Sequence, residues 1–112
     1  MLQHSKSIFQ IKKILLCPAA CMRLGITDFR RRVLLATLDI PYGTTISYGE
    51  LARRIGQPGA SRAVGSALHM NPWIVTVPCH RVVPADFPKT VGGYRYGESL
   101  KRALISREMR NK

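Results

Sequence analysis

Cys79 stands in the run Ile74-Val75-Thr76-Val77-Pro78-Cys79-His80-Arg81-Val82-Val83. An apolar, strand-like segment delivers one cysteine into a proline-punctuated turn, with a histidine and an arginine beside it. A thiol is a weak nucleophile until it ionises, and a neighbouring base or cation favours the thiolate. Pro78 removes a backbone donor and restrains the turn, which points the cysteine toward a cleft rather than a sheet neighbour. Two readings stand open on these residues alone. Cys79 is an activated nucleophile, or it is a small buried hydrophobe, the commonest role of an unpaired cysteine.

The elements that must position this turn are legible from Thr27 onward. Thr27 or Asp28 caps a helix whose apolar positions Phe29, Val33, Leu34 and Leu38 follow helical spacing. Arg30, Arg31 and Arg32 fall mainly on its outer side, and Pro41-Tyr42-Gly43 ends it as a turn. Thr44-Thr45-Ile46 is a short β-prone connector. Ser47 and Glu50 form a capping box for a helix carrying Leu51, Ala52 and Ile55, which Gly56 stops. After the turn Gln57-Pro58-Gly59, a second helix runs from about Ser61 to Met70. Two short helices so joined read as a helix-turn-helix, with the second as recognition helix or as half of an ordinary helical hairpin. Its stretch Ala63-Val64-Gly65-Ser66-Ala67 has small side chains that permit close approach to a groove wall or a neighbouring helix. Asn71-Pro72 breaks the chain before a strand expected at 74–77. Gly92-Gly93 with Tyr94 and Tyr96 reads as a wing-like or pocket-lining turn. A last helix starts near Glu98 or Ser99 and carries Leu100, Ala103, Leu104 and Ile105 to Glu108. Residues 1–25 lack a clear period and read as an N-terminal extension, partly disordered, ahead of one domain over 26–112.

Size and charge narrow the partners. A chain of 112 residues makes one small domain with a single modest core. Its 18 Lys and Arg against 6 Asp and Glu leave a net charge of +12, a field suited to polyanions. Nucleic acid leads, ahead of an anionic membrane surface. Cys17, Cys21 and Cys79 are an odd set without framework spacing, which fits a reducing, intracellular setting. Cys17, Cys21 and His4 lack a fourth metal ligand, so neither metal nor cofactor is expected. Lys12 and Lys13 interrupt the apolar stretch at 8–16, which excludes a membrane span and argues against a signal peptide.

Tyr48 with Arg62, the pair Asn71-Pro72, the run Pro78-Cys79-His80-Arg81-Val82-Val83, the turn Val91-Gly92-Gly93-Tyr94, and Lys101, Leu104, Ile105 and Glu108 on the last helix now line up. Together they resemble the C-terminal DNA-binding domain of the O6-alkylguanine-DNA alkyltransferases, over about residues 28–109. The resemblance implies a mainly α fold with a short β element, a winged helix-turn-helix-like domain. It implies that Cys79 takes the alkyl group from O6 of guanine and keeps it, one turnover per molecule. His80 would take the thiol proton through a water, Glu108 would orient His80, and Asn71 would support the site. Tyr48 would crowd the DNA phosphate and serve as candidate proton donor to the leaving guanine. Arg62 would fill the space left by the flipped base, because the target atom is buried in the stack. Ala63, Gly65 and Ser66 on the recognition helix, with Arg81, complete the expected DNA contacts, made in the minor groove. Tyr48, Met70, Pro72, Trp73, Val83, Tyr94 and Arg95 would form the alkylguanine pocket. Arg95 stands where many relatives carry a small hydroxyl residue near O6.

Two departures from the family pattern set the alternative. Residues 1–25 are too short to replace the family's N-terminal α/β domain. The short chain is typical of alkyltransferase-like proteins, which bind alkylated guanine without repairing it and hand it to nucleotide excision repair. Those usually carry tryptophan at the cysteine position, whereas Cys79 is present here. The expected partner is therefore double-stranded DNA containing O6-alkylguanine, with excision-repair proteins in the alternative. The protein is expected to act as a monomer, in the cytoplasm or at the nucleoid (the nucleus, if eukaryotic).

Overall fold

The computed structural model describes residues 8–73 and 77–111. Among these residues six helices and two very short strands follow in the order α1 Ile8–Leu15, α2 Pro18–Arg23, α3 Asp28–Leu38, β1 Ile46–Ser47, α4 Tyr48–Arg54, α5 Ser61–His69, β2 Val82–Val83 and α6 Glu98–Asn111. A single 3-10 turn, Cys79–Arg81, leads directly into β2. The two strands pair in parallel, Ile46 with Val82 and Ser47 with Val83. The fold is thus mainly α with a short β element, and its function is to tie the cysteine turn to the start of α4.

The N-caps expected at Thr27 and Ser47 form, but the reciprocal half of the capping box does not, because the Glu50 carboxylate pairs with Arg53 and Arg54 instead. The Thr27 side chain accepts from the Arg30 N–H, and the Ser47 side chain accepts from the Glu50 N–H. In α5 the residues Val64, Ala67 and Leu68 face the core, one apolar stripe at helical spacing. That orientation leaves Arg62, Ala63, Ser66 and His69 exposed on the outer face. α5 packs against both α3 and α4, which brace its inner face.

Three segments differ from the sequence expectations. Within the expected extension, residues 8–23 form two helices that pack on each other and on α3. Ile11, Leu15, Cys21 and Ile26 are buried in the same cluster as Val33 and Leu34. The arginines of α3 are not simply an outer face. Arg31 reaches the Leu15 carbonyl at the end of α1, and Arg32 the Ile55 carbonyl at the end of α4, each capping a helix C-terminus. Of the strand expected at 74–77, residues 74–76 lie outside the described residues, and Val77 is a buried bend rather than a strand residue.

The inward stripe of α6 is Lys101, Ile105 and Glu108, while Leu100 is exposed. Two of the three buried positions are charged. Burying a charge is costly unless it is paired, so partners must exist for both. Those partners define the site.

Candidate active site

Cys79 is 4% exposed, at the first position of the 3-10 turn. Asn71, fully buried, holds the ends of the loop that leads to it. Its Nδ2 donates to the carbonyls of Val77 at 3.0 Å and Trp73 at 3.2 Å, and reaches Cys79 Sγ at 3.3 Å. Its Oδ1 accepts from the Trp73 N–H at 2.9 Å. One amide therefore fixes the loop and touches the thiol. Burial pushes the Cys79 thiol above its ordinary value, against the opposing pull of the Asn71 hydrogen bond and the Lys101 charge. A thiol in this state needs a base.

The base is adjacent. His80, fully buried, shares a 2.7 Å hydrogen bond between its Nε2 and Glu108 Oε2. Arg81 closes on the same carboxylate with both arms, Nε to Oε1 at 2.8 Å and Nη2 to Oε2 at 3.0 Å. Its Nη1 donates to the Ile40 carbonyl at 2.8 Å. Burial alone would raise the Glu108 pKa, but the hydrogen bonds and charges of Arg81 and His80 outweigh it and hold the carboxyl below its ordinary value. An ionised carboxylate only accepts, so His80 carries its proton on Nε2. The lone pair then sits on Nδ1, which is buried with no partner among the described residues. Burial lowers the His80 pKa, with the Glu108 hydrogen bond opposing, so the ring is neutral and able to accept a proton. The expectation that Arg81 meets DNA is corrected here. Its guanidinium is committed to Glu108, Ile40 and the Tyr42 ring, and cannot reach a phosphate without stripping the carboxylate that orients His80.

On the other side of Cys79, Lys101 Nζ donates to the Tyr48 hydroxyl at 3.0 Å and to the Gly93 carbonyl at 3.2 Å. Lys101 is 1% exposed, and burial brings its pKa down to about 8, with the Cys79 and Glu98 charges opposing. Burial raises the Tyr48 phenol, and the nearby Cys79 sulfur adds to this. Tyr94, also buried, is pushed up well beyond the ordinary phenol range by the same two causes in the same order. Sequence reasoning placed Lys101 in the family pattern without giving it a role. A lone lysine at helical spacing ordinarily reads as a solvated face, and only the fold shows the hydroxyl and carbonyl that receive it.

Gly92 is required where the turn meets this site. Its φ is +75°, and a Cβ there would fall 2.9 Å from the Tyr48 hydroxyl and 3.1 Å from Pro84. Gly92→Ala is expected to cost about 1–2 kcal/mol from the left-handed backbone alone, read by urea unfolding, and to displace Tyr48. A stability unchanged within error would show that the turn relaxes freely. Gly65 differs, since a Cβ there would rest in ordinary contact with the Tyr48 ring, 3.9 Å away. Its missing side chain keeps the outer cleft open rather than relieving an internal clash.

That cleft, of about 470 Å³, is lined by Tyr48, Ser61, Arg62, Gly65, Ser66, His69 and Gly93. Tyr48, Gly65, His69 and Gly93 also line a small adjoining void of about 10 Å³, together with Cys79, Tyr94 and Arg95. Tyr48, Arg62, Gly65, Ser66, Tyr94 and Arg95 are therefore brought together along one path to the thiol. Ala63 lies off it, beside Phe29 and Met70 on the far flank of α5. Met70, Pro72 and Trp73 do not line the path either. They bound a separate cavity of about 550 Å³ with Leu24, Gly25, Ile26 and Arg30, because the chain leaves α5 away from the cleft. Val83 is packed with Val91 and Ile105 in a second small core, its side chain spent on holding β2 to α6. His4 lies outside the described residues, and no cluster of three or more His, Cys, Asp or Glu side chains occurs among those described.

Comparison with known proteins identifies the family. A family model described as "6-O-methylguanine DNA methyltransferase, DNA binding domain" matches residues 28–110. A methylated-DNA–protein-cysteine methyltransferase of Mycobacterium tuberculosis is 55% identical over 82 residues, which are 73% of this chain and 48% of that protein. The crystal structure of Mycobacterium tuberculosis OGT in complex with DNA matches with a TM-score of 0.72 at 52% identity, covering 75% of this chain and 51% of that one. S. pombe Atl1, in complex with damaged DNA containing O6-carboxymethylguanine, matches with a TM-score of 0.63 at 32% identity, covering 72% of this chain and 75% of that one. The chain spans about half the length of the curated relatives it matches. By the extent of these matches, the chain belongs to the 6-O-methylguanine DNA methyltransferase family, through the DNA-binding domain at residues 28–110.

Proposed function

We propose that the chain repairs DNA by irreversible transfer of an alkyl group from O6 of guanine to Cys79, after the nucleotide is flipped out of the duplex. The observation that carries this reading is the buried His80–Glu108 pair, its carboxylate clamped by Arg81, on the residue next to the buried Cys79. His80 Nδ1 takes the thiol proton through a water. The thiolate attacks the alkyl carbon, the S–C bond forms, and the C–O6 bond breaks with its electron pair passing to guanine. Lys101 donates to the Tyr48 oxygen, so the hydroxyl hydrogen points away from Lys101 and can protonate the leaving base. Lys101, with its lowered pKa, can then resupply Tyr48. A thioether is a stable product, so each molecule acts once. Direct stoichiometry tests this. Free of any other turnover, repaired guanines should level off at one per protein molecule, whereas continued accumulation would exclude a suicidal acceptor.

DNA is the partner this reading requires, and double-stranded DNA containing O6-alkylguanine is its substrate. The net charge of +12 and the exposed Arg62 and Ser66 on α5 support a minor-groove contact. Arg62→Ala is expected to weaken binding to lesion duplex about tenfold more than binding to undamaged duplex, because it removes the side chain that fills the vacated stack. Equal losses on both would reduce Arg62 to a phosphate contact. A sensor that only binds the lesion and passes it to nucleotide excision repair would need no nucleophile. The relay built around Cys79 favours transfer.

A further inference from the structure

Arg95 is the one residue with a permanent positive charge among those that line the void in front of Cys79. Its side chain is exposed. Nη1 donates to the Asn71 carbonyl at 3.3 Å, a long bond at the edge of solvent, and the guanidinium lies 5.7 Å from the Tyr96 ring centroid. No carboxylate pairs with it among the described residues. The other nearby cation, Lys101, is already spent on Tyr48 and Gly93. Asn71 thus joins the two sides of the void, with its carbonyl holding Arg95 and its amide touching Cys79 Sγ at 3.3 Å.

A void of about 10 Å³ holds one water and no purine. Entry of a base requires lining side chains to move. Arg95 is lightly held, by a single long bond and a ring contact, and is free to move. Swung off Asn71, its charge still faces the space in front of Cys79, where the reading above puts the group carried on O6.

We propose that Arg95 is a specificity-determining residue that favours O6 adducts ending in a carboxylate over uncharged ones, O6-carboxymethylguanine being the simplest such substrate. This rests on the reading of the void as the alkylguanine pocket. A thiolate attacking a carbon next to a carboxylate meets like-charge repulsion, and a guanidinium at the carboxylate offsets it through charge-assisted hydrogen bonds. The transfer itself balances as for methyl. The S–CH2 bond forms, the CH2–O6 bond breaks, the electron pair leaves with guanine, and Cys79 ends as the S-carboxymethyl thioether.

The test compares the unaltered protein, Arg95→Ser and Arg95→Lys on duplexes carrying O6-carboxymethylguanine or O6-methylguanine. Single-turnover rates are measured for each. Competition binding is measured in parallel with Cys79→Ala added to each protein, which reads the preference without transfer. The carboxymethyl-to-methyl ratio should fall about tenfold in Arg95→Ser, in rate and in binding, and be largely restored in Arg95→Lys. Ratios unchanged in Arg95→Ser, or equal loss on undamaged duplex, would overturn the proposal. If no protein transfers either group, alkyl transfer to Cys79 is refuted, and the binding ratios alone decide the role of Arg95.

Discussion

Cys79→Ala is expected to abolish alkyl transfer completely while leaving affinity for a lesion duplex within about threefold of the parent. The separation follows from the wiring of the loop. Asn71 Nδ2 loses its contact with Sγ but keeps the Val77 and Trp73 carbonyls, so the turn retains its anchor. Arg62 and Ser66, exposed on α5 and proposed above to meet DNA, make no hydrogen bond to His80 or Glu108 among the described residues. Chemistry and recognition are therefore carried by different groups. Fluorescence anisotropy with lesion and undamaged duplexes, alongside a transfer assay, reads both. A collapse of lesion binding together with transfer would mean that the sulfur is needed to shape the pocket, and that the buried-hydrophobe reading of Cys79 holds.

The second large effect is expected at Glu108. Its side chain is 10% exposed and neutralises Arg81, itself only 13% exposed, while orienting His80. Glu108→Gln removes the charge but not the volume, and leaves a largely buried guanidinium unpaired. We expect a loss of about 3 kcal/mol in unfolding free energy, since removing one member of a buried pair is costly. Transfer should slow by about a hundredfold, because an amide can either donate or accept and no longer fixes the proton on His80 Nε2. The pH dependence supplies a sharper signature. The folded-state pKa of Glu108 is depressed, so its contribution is present above the unfolded value of about 4.3 and is lost as pH falls through the folded one. His80 is also depressed in the fold, so protonation begins to favour the unfolded chain below about pH 6.5. Stability of the parent should therefore decline in two stages on acidification, and Glu108→Gln should lack the lower one. Denaturant unfolding at a series of pH values checks this. A variant retaining both stages would show that another carboxylate carries the acid transition.

The sequence revealed the helix-turn-helix, its caps and the cysteine turn because each rests on local rules. Capping residues, an apolar stripe at Val64, Ala67 and Leu68, and Pro and Gly punctuation act over a few residues and leave marks in the chain. The site was legible only where residue type and family pattern agreed. Glu108 read from its surroundings is a solvated helix end, and its burial depends on His80 and Arg81, far away in sequence. Lys101 is hidden for the same reason, its partners being Tyr48 and Gly93. Arg81 misled in the opposite direction, since an arginine beside a nucleophile in a basic protein suggests phosphate, yet the fold turns it inward. Met70, Pro72 and Trp73 flank the hinge at Asn71, and no local signal tells which side of the hinge they line. The helices at 8–23 escaped notice because each is too short for a period. Ile11 and Leu15 mark the buried side of α1, with Ile14 packed against it, and it is packing against α3 that makes them core.

The central claim is that Cys79 becomes the alkyl carrier. The most direct measurement is intact-mass spectrometry after mixing the protein with a duplex carrying one O6-methylguanine, followed by peptide mapping. The account predicts a gain of one methyl group, confined to the peptide containing Cys79. An unchanged protein mass, under conditions where the lesion duplex is demonstrably bound, would contradict it and leave a lesion sensor with an idle cysteine.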